Sequence, residues 1–269
     1  MDVKALKAMV QRLNPERKDN PHRGLWYKPT EDPDVLRVLP NPTDANDNPF
    51  FEVYFHYDIG GERSIVCPKH ADGSPCPVCD LADSFRAQSG KGKDDPNFRI
   101  FLDLQARPRV YAPVLIRGSE EDGVKLWGFP GSIFQYFVEK IEDPDWGDFT
   151  HPVHGRDVAV VLLKPGTEAN RGKYPRPTAS LKPAVSPIFK DKEEIKTLLA
   201  SIPNFLELDP PLFEVRELSV LLELVKRIGK EESEEIEIGV DDTSTTAVDS
   251  SANVSDELST KLENLLNDD

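Results

Sequence analysis

Short stretches rich in β-branched or aromatic residues, each bounded by Gly, Pro or Asp, dominate residues 34–185. That pattern predicts strands at "VLRVLP", "FFEVYFHYDIGGERSIVC", "FRIFLDL", "RVYAPVLIR", "VKLWGF", "DVAVVLLK" and "YPRPTASL". Two stretches break it with helical spacing. One follows Pro77 ("VCDLADSFRAQ"), and the other starts at Ser132 ("SIFQYFVEKI"), where Ile133, Phe137 and Ile141 share a face. Over 189–229 the period changes, and "KDKEEIKTLLASI" and "EVRELSVLLELVKRIG" read as helices. Before the strands, Val3, Leu6, Val10 and Leu13 form one stripe of a short helix, which "NPERKDNPHRG" interrupts with two prolines.

After Lys230 the apolar density collapses, and a segment that polar cannot bury enough surface to fold. At its end, "SDELSTKLENLLNDD" sets Leu258, Leu262 and Leu265 at helical spacing with acids opposite, an acidic helix suited to a partner. The expected fold is mainly β with α elements: a closed or partly closed barrel of the oligonucleotide-binding (OB) kind, with a plain sandwich as the alternative. The expected division is an N-terminal arm (1–24), a β core (25–185) holding a cysteine-rich subdomain at about 50–90, a helical region packed on the core (186–230) and a flexible acidic tail (231–269).

Charge sharpens this division. The chain of 269 residues carries a net −15, which by itself argues against a nucleic-acid partner. Residues 231–269, however, hold thirteen acids against one lysine, a net −12 that leaves −3 for the rest. Within that body 86–117 carries seven Lys/Arg against three acids, and 156–182 six against two. No run approaches the ~18 apolar residues of a membrane span, and the N-terminus lacks the apolar stretch of a secretory signal. The expected location is the cytosol, where clustered thiols bind metal more often than they pair.

All three cysteines lie in "CPKHADGSPCPVC", residues 67–79. Cys76 and Cys79 form a Cys-x2-Cys turn ahead of a helix, Cys67 is a third thiolate, and a tetrahedral metal site needs one more ligand. Two histidines compete. His70 has an attractive spacing. His56 has a geometric argument: if "FHYDIGGERSIVC" is a hairpin turning at Gly60-Gly61, His56 faces Ile65, and Cys67 lies on the same face two residues on. A redox pair would leave Cys67 unexplained. A nucleobase deaminase would need His-x-Glu beside its Pro-Cys-x-x-Cys, and no such triplet occurs. A nuclease lacks an obvious acidic metal triad in the folded body. The expectation is one structural zinc ion and no enzymatic activity.

Around the cluster, rings and cations interleave: Arg99, Arg107, Arg109 and Tyr111, then Lys125, Trp127 and Phe129, then Lys173, Tyr174 and Arg176. Rings that stack on bases and cations that follow phosphates hold single strands without reading sequence. Each aromatic taken alone is more often core than platform; the set points to a groove for nucleic acid. A zinc-stabilised adaptor of a replication or transcription assembly is the rival from another class.

The cluster with its upstream "FHY", the β-rich body, the "SIFQYF" helix, the helical 189–229 region and the tail ending "LENLLNDD" resemble the single-stranded DNA-binding (helix-destabilising) proteins of T-even-like phages. The resemblance implies zinc on His56, Cys67, Cys76 and Cys79, and a cleft lined by Arg107, Tyr111, Trp127 and Tyr174 between an OB barrel and the zinc subdomain. It implies work in phage replication, recombination and repair in the cytoplasm of a bacterial host. It also implies partner docking through the tail end, Leu258, Leu262, Leu265, Leu266, Asp268 and Asp269, and self-association through the N-terminal arm. The arm departs from the family: Lys4, Lys7 and Arg12 are spread along it with no tight basic run.

Overall fold

The computed structural model describes residues 22–41, 48–90 and 94–237. The expected N-terminal helix and the acidic tail with its leucine-bearing end therefore lie outside the described residues, apart from a helix that continues to Glu237. Among the described residues, eight strands and six α-helices make this a mixed α/β protein. They divide into two compact units, one drawn from residues up to 52 and from 110–212, the other from 53–109 and from 213 onward. The division differs from the expected one, since the helical region is shared between the units rather than forming a block of its own. Among the described residues no helix is long and apolar enough to cross a membrane.

The first unit is built on a sheet. Strands β1 (Trp26–Tyr27), β2 (Asp34–Val38), β5 (Arg107–Ile116), β6 (Lys125–Phe129), β7 (Arg156–Leu163) and β8 (Arg176–Val185) run in the order β1-β6-β5-β2-β7-β8. The β1–β6 pair is parallel and the other pairs are antiparallel. β1 and β8 end this path, so the sheet is open and the closed barrel expected from the strand pattern is not seen among the described residues. β5, the third strand in the order, is buried from Val110 through Leu115, as a strand covered on both faces must be. Helix α4 (Gly131–Glu142) lays Ile133 and Phe137 onto the core with Trp127, Phe129 and Phe149, but Ile141, expected on the same face, is 41% exposed. Helix α5 (Lys192–Ser201) is capped by the Asp191 carboxylate, which accepts the Glu193 N–H.

One charged side chain sits inside this unit. Arg37 is fully buried on β2, and its Nε donates to Asp157 Oδ1 at 2.9 Å while Nη2 donates to the Ser186 carbonyl at 2.6 Å. Gly155 makes room for it. A Cβ there would lie well inside contact distance of the Phe149 and His151 carbonyl oxygens and 2.6 Å from Arg37 Nη1. Gly155→Ala should therefore cost about 1–3 kcal/mol through overpacking, read as a lower urea midpoint; an unchanged midpoint would mean that this loop yields freely.

The second unit packs helices on a hairpin. β3 (Phe51–Ile59) and β4 (Glu62–Val66) pair antiparallel with His56 opposite Ile65, and turn at Gly60-Gly61, as the sequence pattern predicts. Both glycines are left-handed, with φ of 54° and 82°. Gly60 has a further reason to lack a side chain, because a Cβ would stand 2.7 Å from the Leu224 carbonyl. That carbonyl belongs to α6 (Leu218–Glu237), whose Leu221, Leu224 and Val225 close the core over Ile59 and Ile65. Helix α1 (Pro68–Ala71) follows the hairpin, and α2 (Pro77–Gln88) buries Val78, Leu81, Ala82 and Phe85 at i, i+3, i+4 and i+7.

"FRIFLDL", expected as a strand, is helix α3 (Pro96–Leu104). Asp95 caps it by accepting the Phe98 N–H, and Pro96 occupies the first turn, where its missing N–H costs nothing. Ile100, Phe101 and Leu104 then meet the core at three- and four-residue spacing. Start signals and helical spacing prevail over the β preference of the aromatic residues.

Candidate metal centre

The hairpin register brings the histidine to the thiols. His56 is fully buried on β3, and its Nδ1 lies 2.7 Å from the Leu104 carbonyl oxygen at the end of α3. A carbonyl accepts only a donated proton, so Nδ1 carries the hydrogen and Nε2 presents its lone pair. Nε2 lies 3.3 Å from Cys76 Sγ and 3.6 Å from Cys79 Sγ, and Cys67 Sγ is 3.4 Å from Cys79 Sγ. All four donor atoms lie within 4.8 Å of one another, and all four residues are buried.

Each thiol is positioned by its element. Cys67 ends the hairpin, its N–H donating to the Tyr54 carbonyl at 2.9 Å. Cys76 is the extended residue before α2, and Cys79 sits in the first turn of α2. The thiols conflict electrically. Hydrogen bonds from Cys76 and Cys79, and then from the backbone N–H groups of His70 and Lys69, hold the Cys67 thiol well below its ordinary range despite burial. The same sharing with Cys67 and Cys76, reinforced by burial, pushes the Cys79 thiol up. Three neighbouring thiolates in a buried pocket repel; a divalent cation removes that repulsion. Ligands ~2.0–2.3 Å from a tetrahedral ion stand roughly 3.5–3.8 Å apart, close to the separations here. The residues fit a metal.

His70, the rival ligand, is exposed on α1 and lies outside the buried group of four. Its ring stacks on Tyr54 with centroids 4.1 Å apart, and Nδ1 meets Cys67 Sγ at 3.2 Å. It supports one sulfur from outside. Tyr54 and the Leu104 carbonyl were missed by sequence reasoning. Tyr54 stands two residues before His56 on the same strand, a weak but readable signal; a backbone carbonyl on a distant helix leaves none.

The expected aromatic groove needs correction. Trp127 and Phe129 are fully buried and Tyr111 is 4% exposed, so these rings are core rather than a platform for bases. β6 lies between β1 and β5, and α4 covers it. Trp127 packs edge-on against Tyr27 and Phe137, with Phe129 4.6 Å away. Tyr111 stacks on Phe51. Lys125 is half-buried, its ammonium donating to the Gly24 carbonyl at 2.8 Å.

The remaining cations are exposed. Arg99, Arg107 and Arg109 belong to the unit with the metal cluster, where Arg99 lies 3.7 Å from Asp94 and Arg107 donates to the Leu102 carbonyl. Lys173, Tyr174 and Arg176 belong to the sheet unit, at the turn joining β7 and β8. No protein-family model matches the chain and no curated protein matches it, so the metal centre and these exposed residues carry the functional argument.

Proposed function

We propose that this protein is a non-enzymatic binder of single-stranded DNA in replication, recombination and repair, with one zinc ion on His56, Cys67, Cys76 and Cys79 as a structural lock. The zinc reading rests on a closed set of four N and S donors, whereas a catalytic site keeps a position open. The binding reading rests chiefly on Tyr174, which is 80% exposed. Burial would favour this ring, and yet it stands in solvent among exposed Arg171, Lys173 and Arg176. Its loop is built. Asn170, 5% exposed, donates from Nδ2 to the carbonyls of Leu163 and Tyr174 at 3.1 and 2.9 Å.

An exposed ring flanked by cations stacks on an unpaired base while the cations follow the phosphates. Duplex DNA keeps its bases stacked on one another, so this contact favours the open strand, and binding pulls the duplex equilibrium towards it. The acidic tail is the part of the chain suited to docking on replication, recombination and repair proteins.

Titration of the full chain with labelled oligo-dT at several salt concentrations tests the reading. Affinity should fall with salt at a slope of ~−0.7 per phosphate neutralised. Tyr174→Ala should weaken binding by about 1–3 kcal/mol, the worth of one stacked base. Quenching by Trp127 is not expected, because that ring is buried. An affinity indifferent to salt and to Tyr174 would remove the proposal.

A further inference from the structure

The loop that carries Tyr174 is longer than its place in the fold requires. β7 ends at Leu163 and β8 begins at Arg176, so residues 164–175 join two adjacent antiparallel strands, where ~2–5 residues ordinarily suffice. The connection, "KPGTEANRGKYP", offers little apolar surface to hold it in one shape. No hydrogen bond or ring contact fixes the Tyr174 side chain among the described residues. The direction of the ring is therefore set by the backbone beneath it, and only its own side-chain torsions remain free.

One side chain ties that backbone down. Asn170, 5% exposed, uses both hydrogens of Nδ2 on carbonyls from opposite ends of the loop, Leu163 at 3.1 Å and Tyr174 at 2.9 Å. Its Oδ1 accepts the Gly172 N–H at 3.2 Å. Carbonyl oxygens only accept hydrogen bonds, so the amide has one workable orientation. The Asn170 backbone N–H donates to the Thr167 carbonyl at 3.1 Å, and Thr167 Oγ1 donates to the Lys164 carbonyl at 2.9 Å. Gly172 closes on the amide: a Cβ there would stand 3.1 Å from Asn170 Oδ1, tighter than ordinary contact. All of these bonds fall within residues 163–174, so the amide serves the loop and not the body of the sheet.

We infer that Asn170 is the positioning residue for Tyr174, clamping the loop so that the ring is set for a base before a strand arrives. The inference rests on the single-strand reading above and adds the group that prepares its contact. Ordering a loop during binding opposes association, and a loop ordered in advance avoids that cost. A ring on a loose loop would still stack, but only the competent fraction of its arrangements would bind, and the apparent affinity would fall by that fraction. Asn170 acts through Tyr174 rather than on the strand itself.

The test compares the zinc-loaded full chain with Asn170→Ala, Tyr174→Ala and the double variant, by oligo-dT titration and by trypsin cleavage of the free proteins read by mass spectrometry. Lys164 and Arg176 precede prolines, where trypsin does not cut, so cleavage within the loop reports Arg171 and Lys173 alone. Asn170→Ala should speed that cleavage by about tenfold or more, since cleavage follows the population of the opened loop. It should weaken oligo-dT binding by about two- to tenfold, and have no further effect once Tyr174 is alanine. Unchanged loop cleavage in Asn170→Ala would overturn the inference. So would a Tyr174→Ala loss that Asn170→Ala does not share, or an equal Asn170→Ala loss in both backgrounds, the mark of a merely structural role. Normal oligo-dT binding by Tyr174→Ala would instead sink the single-strand reading at this ring, while faster cleavage in Asn170→Ala would still show the clamp.

Discussion

Alanine at His56 should leave the purified protein without stoichiometric bound metal, whereas alanine at His70 should leave the metal in place. His56 is the buried nitrogen donor of the cluster, with Nε2 3.3 Å from Cys76 Sγ and Nδ1 anchored on the Leu104 carbonyl. Its removal leaves three crowded thiols with no fourth ligand. Because a structural site is not preformed in the unfolded chain, metal binding is also folding free energy, ~10–16 kcal/mol in isolated zinc-finger peptides. The His56→Ala protein should lose the cooperative melting of the metal-cluster unit as well as the ion. His70 touches one sulfur from an exposed position, so His70→Ala should change only how quickly a chelator extracts the metal. Metal content per chain, with the visible spectrum of the cobalt-substituted protein, reads both outcomes. Metal retained in His56→Ala and lost in His70→Ala would reassign the fourth ligand.

The second large effect belongs to Arg37. Arg37→Ala should lower stability by about 3–5 kcal/mol, the combined cost of the cavity left by a fully buried side chain and of the buried acceptor it strands, seen as a fall in the urea midpoint. Its guanidinium is fully buried and serves Asp157, the Ser186 carbonyl and the Ser186 hydroxyl at 2.6–2.9 Å. Burial lowers its pKa, and the Asp157 charge opposes that by favouring the protonated form. Arg117 also contacts Asp157 at 3.0 Å but remains 17% exposed. Removal of Arg37 therefore leaves Asp157 a partner while stranding the Ser186 carbonyl. Arg117→Ala should cost less than Arg37→Ala. The reverse order would show that Asp157 depends on the more exposed arginine.

Both results concern features that sequence treats very differently. The Cys-x2-Cys turn, the third thiol and the glycine pair at the hairpin tip lie within twenty residues of one another. Local pattern sufficed there, because a glycine-glycine turn sets strand register and register sets which face His56 occupies. The Arg37 network joins residues more than a hundred positions apart, and "VLRVLP" gives no sign that its arginine points inward. A strand's alternation tells which residues share a face, not which face is covered.

That limit explains the failed groove. Trp127 and Phe129 share a face of β6, and sequence could equally have made it a binding surface; α4 and the neighbouring strands buried it. α3 shows a second limit. Its aromatic residues favour a strand, whereas the Asp95 cap, Pro96 and contacts with the core select a helix. What the chain's order alone determined was local: the hairpin, its register, the thiol turn, most helix and strand positions and the separation of acid from base. What tertiary structure decided was which surfaces met water: the closed donor set on His56, the burial of Arg37 and of the expected stacking rings, and the exposure of Tyr174. The physical reason is that turns and caps act over a few residues, whereas burial depends on packing partners that stand far away along the chain.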